Sequence, residues 1–418
     1  MIHPNSQHLP FYYGWVIVMA GSLCIMAGLG LGRFALGMLL PSMGATLELS
    51  YAQMGFVSTG NFIGYLVAVF FSGMFVARIG QRNFIFMSLL LVGLTMCLLS
   101  RTDAFTSLLT LYVLTGIGSG GANVSMMGLA ASWFTKKNRG KAAGFISAGS
   151  GIAIIFSGFF IPFVNRLSGA EGWRISWLSL GAIVGLVAFL CLILLRDKPA
   201  GPGPAMDGER GPVAADRSAT VAKERINVYR SRAIYHLGAI YFLFGCTYII
   251  YATFIVTTLV NERGLSESLA GNFWAVVGFL SLFSGPVFGS ISDKLGRKGG
   301  MMIVFSVQCL AYLLVASGLP GVFLYLSIFL YGFVAWSIPA IMAAAVSDHG
   351  GPENTAKGLG LITLFFGLGQ ISGPAVAGML AQHSGSFSSS FYMSAALAGA
   401  AIVLSMLLGK GGKRAAIN

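Results

Sequence analysis

Residues 289 to 298 read GSISDKLGRK, and residues 73 to 82, 216 positions earlier, read GMFVARIGQR. The same offset pairs Gly55 with Gly271, Gly116 with Gly332, Lys141 with Lys357, Gly144 with Gly360 and Gly151 with Gly367. A register held over roughly 100 residues without a gap describes one unit written twice. Each copy ends its second apolar segment and begins its third with a short basic turn. The fold must therefore be assembled from two like halves joined end to end.

Lipid is the expected solvent for those halves. The chain is 56% hydrophobic and 9% charged, with a mean hydropathy of +0.80, whereas a soluble domain carries about 25% charged residues. A net charge of +13 could point to nucleic acid, but the 26 Lys and Arg residues cluster in turns between apolar runs. That distribution fits a bilayer, and no nucleic-acid partner is expected. Cys24, Cys97, Cys191, Cys246 and Cys309 lie one per apolar run and form neither a metal spacing nor a disulfide framework. The histidines (His3, His8, His236, His349, His383) fall in the tail or at helix ends, so neither a metal nor a cofactor is expected. The stretch MIHPNSQHLP is neutral and the segment after it too long for a signal peptide, so that segment should remain as the first spanning helix.

A helix needs about 20 apolar residues to cross the hydrocarbon. Twelve runs qualify, at 12–40, 51–77, 83–100, 105–133, 141–164, 174–195, 233–260, 268–292, 300–318, 321–346, 356–381 and 389–408. The expectation is an all-α integral membrane protein with twelve transmembrane helices in two pseudo-symmetric six-helix halves. Residues 1–195 form the first half and 233–418 the second. The polar stretch 196–232 is a linker, with a short basic surface helix expected around Arg225 to Arg232. With the N-terminus inside, 21 basic residues fall on inner loops and tails and four (Arg101, Arg166, Arg174, Arg263) on outer loops. Both termini are thus expected to be cytoplasmic. Glycines crowd the first, fourth, fifth and eleventh runs, where small residues let helix backbones approach closely. Gly285-Pro286 and Gly373-Pro374 add local kinks.

Six-plus-six helices with a G-x-x-x-D-[RK]-x-G-R-[RK] loop resemble the major facilitator superfamily over essentially the whole chain. The second copy matches fully, with Gly289, Asp293, Lys294, Gly296, Arg297 and Lys298. The first keeps Gly73, Arg78, Gly80 and Arg82 but has Ala77 in place of the acid and Gln81 for the first Arg. In the superfamily this loop latches the cytoplasmic face, so the resemblance implies a conformational latch whose first half is weakened here. YYGWVIV at 12–18, WFTKKNRGKAAGFISAG from Trp133 and Gly172-Trp173-Arg174 look like the monocarboxylate and oxalate/formate porter branch. GLGRFALGMLLPSM from Gly30, with GYL at Gly64, looks like the bacterial YbfB/YjiJ-type permeases. The monocarboxylate branch places a basic residue in helix 1, eighteen residues after the Trp of a Gly-Trp pair; from Trp15 that position is Arg33. Its basic residue in helix 8 is absent, since Asn272 to Ile291 contains no charge.

A charge inside the bilayer costs roughly 3 kcal/mol or more and is a functional candidate by default. Arg33 is that charge, and all thirteen carboxylates lie in loops or at helix ends. It reads either as an anchor for an anionic substrate or as an arginine snorkelling to a helix end. Asn61, Asn123, Tyr248, Tyr251, Trp336 and Gln370 fall near the expected midplane, as wall residues that orient a small ligand or as interhelical packing. No Walker loop, HExxH or Ser/His/Asp set is present, so an enzyme is not expected. The resemblance implies a monomeric secondary transporter in a bacterial inner membrane, moving a small monocarboxylate-like anion by alternating access, with a proton as its partner. Anion exchange, drug or metabolite efflux and a transporter-like receptor are the alternatives.

Overall fold

The computed structural model describes residues 13–197 and 228–409. Among them the chain is helical throughout, without a strand, as a backbone in lipid must be to satisfy its own polar groups. Helix α1 (Gly14–Ile25) passes through a π-helical segment (Met26–Phe34) into α2 (Ala35–Thr46), making one continuous rod. There follow α3 (Tyr51–Ile79), α4 (Gln81–Leu99), α5 (Phe105–Trp133), α6 (Lys136–Ser168) and α7 (Gly172–Leu194). After the linker come α8 (Arg232–Thr257), α9 (Glu267–Ala316), α10 (Gly321–Val334), α11 (Ser337–Gly350), α12 (Thr355–Ser384) and α13 (Ser388–Leu407).

Ten stretches are long and apolar enough to cross a membrane. Side chains such as Phe70, Ile193 and Leu407 are largely exposed on them, as a lipid-facing surface requires. The chain is a multi-pass membrane protein. Two of the ten stretches are overlong. Helix α9 has 50 residues and is broken at Gly296, with φ 82° and ψ 158°. Such a backbone is nearly closed to any residue with a Cβ. The loop expected between the second and third runs is likewise only Gly80, with φ 81°. The helix expected at 141–164 starts at Lys136 instead, because the basic stretch there continues the helix. Helix α2 runs past Pro41 to Thr46. Of the expected basic surface helix, Val228–Arg230 is one 3-10 turn and α8 begins at Arg232, while 225–227 lie outside the described residues.

The 216-residue offset recurs in the backbone. Positive φ occurs at Gly80 and Gly296, at Gly169 and Gly385, and at Glu48 and Gly264. The residues before and after the linker meet along a seam made by α3 against α12 and α6 against α9. One face of the molecule, the terminal face, gathers the starts of α1 and α8 and the ends of α7 and α13. Over the opposite, far half the seam is closed. A Cβ on Gly55 would lie 2.3 Å from Pro374 O, and one on Gly158 2.5 Å from Gly271 O. Asn165 donates to Glu267 at 2.8 Å, and the Tyr51 amide donates to the Gln382 side chain at 3.0 Å. Over the terminal half, Gly73, Gly144, Gly289 and Gly360 have nothing within 4 Å of a Cβ position. The seam gapes there.

The basic turns at the terminal face engage their own side of the seam. Arg297 pairs with Asp293 and, at 2.8 Å, with Asp348, and Lys298 donates to Met406 O. Lys294 and Arg78 are exposed. In the first copy, where Ala77 replaces the acid, the Asp197 carboxylate after α7 accepts from the Arg82 amide at 2.8 Å, and Arg82 Nε donates to Leu192 O. Sequence did not point to Asp197.

Candidate functional site

Arg33 lies in the last turn of the π-helical segment. Gly28, Gly30 and Gly32 empty this segment of side chains, and α5 supplies hydroxyls to its carbonyls. Ser119 donates to Gly28 O at 2.5 Å, and the Tyr112 phenol donates to Arg33 O at 3.1 Å. π-Helical turns are frequent at functional sites; this one aims a charged side chain inward.

The Arg33 side chain is only 7% exposed. Its guanidinium carbon stands 4.2 Å from the Phe62 ring centroid and 4.3 Å from that of Tyr65. Cation–π contacts of this kind contribute about 2 kcal/mol when desolvated. Nε donates to Asn61 Oδ1 at 3.0 Å, whereas Nη2 is buried and has no partner among the described residues. The ion pairs among the described residues lie at the two faces and none includes Arg33. Its electrostatic neighbours are instead the phenols of Tyr65, Tyr112 and Tyr248. A cavity of about 10 Å³, lined by Arg33, Asn61, Tyr112, Ser58 and Thr253 among others, adjoins it. That is room for about one water.

Both ends of the Asn61 amide are in use, since its Nδ2 donates to Tyr112 O at 3.2 Å. It therefore holds Arg33 while lining the same cavity. Asn123 reaches Arg33 indirectly, donating to the Tyr65 hydroxyl at 2.6 Å. Across the seam, Gln370 donates to the Tyr248 hydroxyl. Trp336 occupies the break between α10 and α11. Its ring lies 5.2 Å from Phe34 and 5.5 Å from Tyr248. The irregular segments of α1–α2 and α10–α11 thus meet beside Arg33. Tyr251 faces elsewhere, fully buried, bonded to Ser327 at 2.9 Å and stacked on Tyr331 at 4.0 Å.

Sequence reasoning missed Phe62, Tyr65, Tyr112 and Phe34. A signal existed for Tyr65, one helical turn beyond Asn61 on α3 and so on the same face. Among the described residues no three His, Cys, Asp or Glu side chains gather as a metal site.

Residues 25–409 match the family described as "Uncharacterised MFS-type transporter YbfB". The chain belongs to that family. Among similar proteins is a hexuronate transporter of Bacillus subtilis (strain 168), 27% identical over 387 residues that cover 88% of each chain. Monocarboxylate transporter 2 of Mesocricetus auratus is 23% identical, covering 88% of this chain and 78% of its own. The oxalate:formate antiporter of Oxalobacter formigenes is 24% identical, over 75% and 72%. Among solved structures, a bacterial homologue of the lysosomal transporter Spinster, inward-facing and occupied, superposes with a TM-score of 0.74 at 15% identity, covering 97% of this chain and 98% of that one. At that identity the likeness speaks for the fold alone. This MFS-type transporter is not an enzyme.

Proposed function

We propose that this MFS-type transporter moves a small organic anion by alternating access, with the Arg33 guanidinium as its anchor. One observation carries the reading: a buried arginine that, among the described residues, has no partner for Nη2 and joins no ion pair. An anionic oxygen at Nη2 supplies both the missing hydrogen bond and the missing charge, which is the arrangement arginine serves best. The hexuronate, monocarboxylate and oxalate:formate transporters among its relatives support an anionic substrate. Twelve spans in two six-helix halves, 1–195 and 233–418, are supported by the break at Gly296 and by the recurrence of positive φ at the 216-residue offset. Both termini on the cytoplasmic side agree with the 21 basic residues on one side against four on the other; a monomer in a bacterial inner membrane follows the family resemblance. The open terminal half of the seam then faces the cytoplasm.

Transport of labelled carboxylates into proteoliposomes tests the anchor. Arg33→Gln should abolish it with expression and folding nearly intact, and Arg33→Lys should keep weak activity. Normal rates in Arg33→Gln would make Arg33 a structural residue. Coupling has two readings. The family resemblance favours a proton travelling with the anion; the uncompensated charge on Arg33 favours exchange, in which one anion or another neutralises it on every transit. Vesicles with no internal anion and an acid exterior separate them. Gradient-driven accumulation means symport, and entry only after preloading means exchange.

A further inference from the structure

Next to Phe34 and Arg33, the second half of the chain buries hydrogen-bonding groups that a plain carboxylate would not use. The Tyr248 hydroxyl accepts from Gln370, and among the described residues its own proton has no acceptor. Tyr248 is 2% exposed and Gln370 3%. The Trp336 indole Nε1 is buried and has no partner among the described residues, although its backbone amide is held by Ser284 Oγ at 3.1 Å. Trp336 also sits at a helix break, φ −112° and ψ 20°, and discontinuous helices build many transporter substrate sites. Its ring touches Phe34, the residue after Arg33, and Tyr248 lies within electrostatic reach of the guanidinium.

We propose that Tyr248, Gln370 and Trp336 form a second recognition pole that reads hydroxyl groups on the substrate. The protein then takes hydroxylated monocarboxylates, acids of the sugar type, in preference to aliphatic acids of equal length and charge. This rests on Arg33 being the carboxylate anchor. A hydroxyl both donates and accepts, so two or three hydroxyls can serve the Trp336 N–H, the Tyr248 O–H and the Gln370 carbonyl together. An aliphatic chain leaves those groups unpaired. A site built around a substrate hydroxyl rejects an analogue lacking it far more strongly than an apolar pocket rejects a changed methylene. The same pole disfavours lipophilic drugs.

Calorimetric titration of the purified full-length protein tests both poles with three probes. D-galacturonate has the carboxylate and the hydroxyls, hexanoate the carboxylate alone, and D-galactose the hydroxyls alone. Galacturonate should bind at least about 30-fold more tightly than hexanoate, and galactose should not bind measurably. Tyr248→Phe, Gln370→Leu and Trp336→Phe should each shrink that ratio; Trp336→Phe keeps a ring in place should the others fold poorly. Hexanoate binding as tightly as galacturonate, no galacturonate binding, or a ratio unmoved by all three variants overturns the second pole. Arg33→Gln reports separately: unchanged carboxylate binding in it, or galactose binding as well as galacturonate, overturns the anchor.

Discussion

At the scale of single residues, the site is an arginine held by neutral groups. Asn61 fixes Nε, Phe62 and Tyr65 cover the guanidinium, and nothing cancels its charge. Losing one partner of a charge-assisted hydrogen bond costs about 1.5–3 kcal/mol. Asn61→Ala should therefore lower stability by about 1.5–3 kcal/mol and, by freeing Arg33 from its position, weaken anion binding without abolishing it. Asn61→Asp is the sharper test. It places a carboxylate where Oδ1 now accepts from Nε, so Arg33 becomes neutralised from within. That variant should stay folded yet lose carboxylate binding by at least about 100-fold in the same titration. Retained affinity would mean that the charge of Arg33 does not recruit the ligand.

At the scale of helices, close backbone contact carries the positioning. A Cβ on Gly116 of α5 would meet Asn61 O at 2.0 Å. The obstacle is backbone, which yields little. Gly116→Ala must push α3 away and take Asn61 off Arg33. Overpacking of this kind costs about 1–3 kcal/mol, so a thermal-melt series should show a lower Tm together with weaker anion binding. Gly289→Ala meets nothing within 4 Å, and its stability should stay within about 0.5 kcal/mol of wild type, with Tm nearly unchanged. Equal losses in the two variants would contradict the close α3–α5 contact.

At the scale of the whole molecule, the far half of the seam is closed and the terminal half open. Ser58 on α3 and Thr253 on α8 bring their hydroxyls to 3.3 Å across the seam. Side chains that meet there offer a place to cross-link the two halves. In a background lacking the five native cysteines, Ser58→Cys with Thr253→Cys should cross-link on oxidation. Transport should stop, and reduction should restore it. Undiminished transport by the oxidised protein would show that this seam need not open.

Some of this was legible in the residues and some was not. The helical membrane class follows from apolar runs, and Arg33 from being a charge inside one, because solvation and hydrogen-bond closure act locally along the chain. The weakened first turn was read from Ala77, but not that Asp197, more than a hundred residues on, caps its helix. Tyr248 and Tyr251 look alike on α8; three residues apart, one meets Trp336 beside Arg33 while the other packs against Ser327 and Tyr331. Asn61 read equally as a substrate wall or as interhelical packing, and only the assembled helices show its two ends bonded to Arg33 and Tyr112. Local patterning determines that a helix forms and that lipid surrounds it. Which face meets which neighbour depends on glycine contacts between helices distant in sequence, and only the assembled bundle decides them.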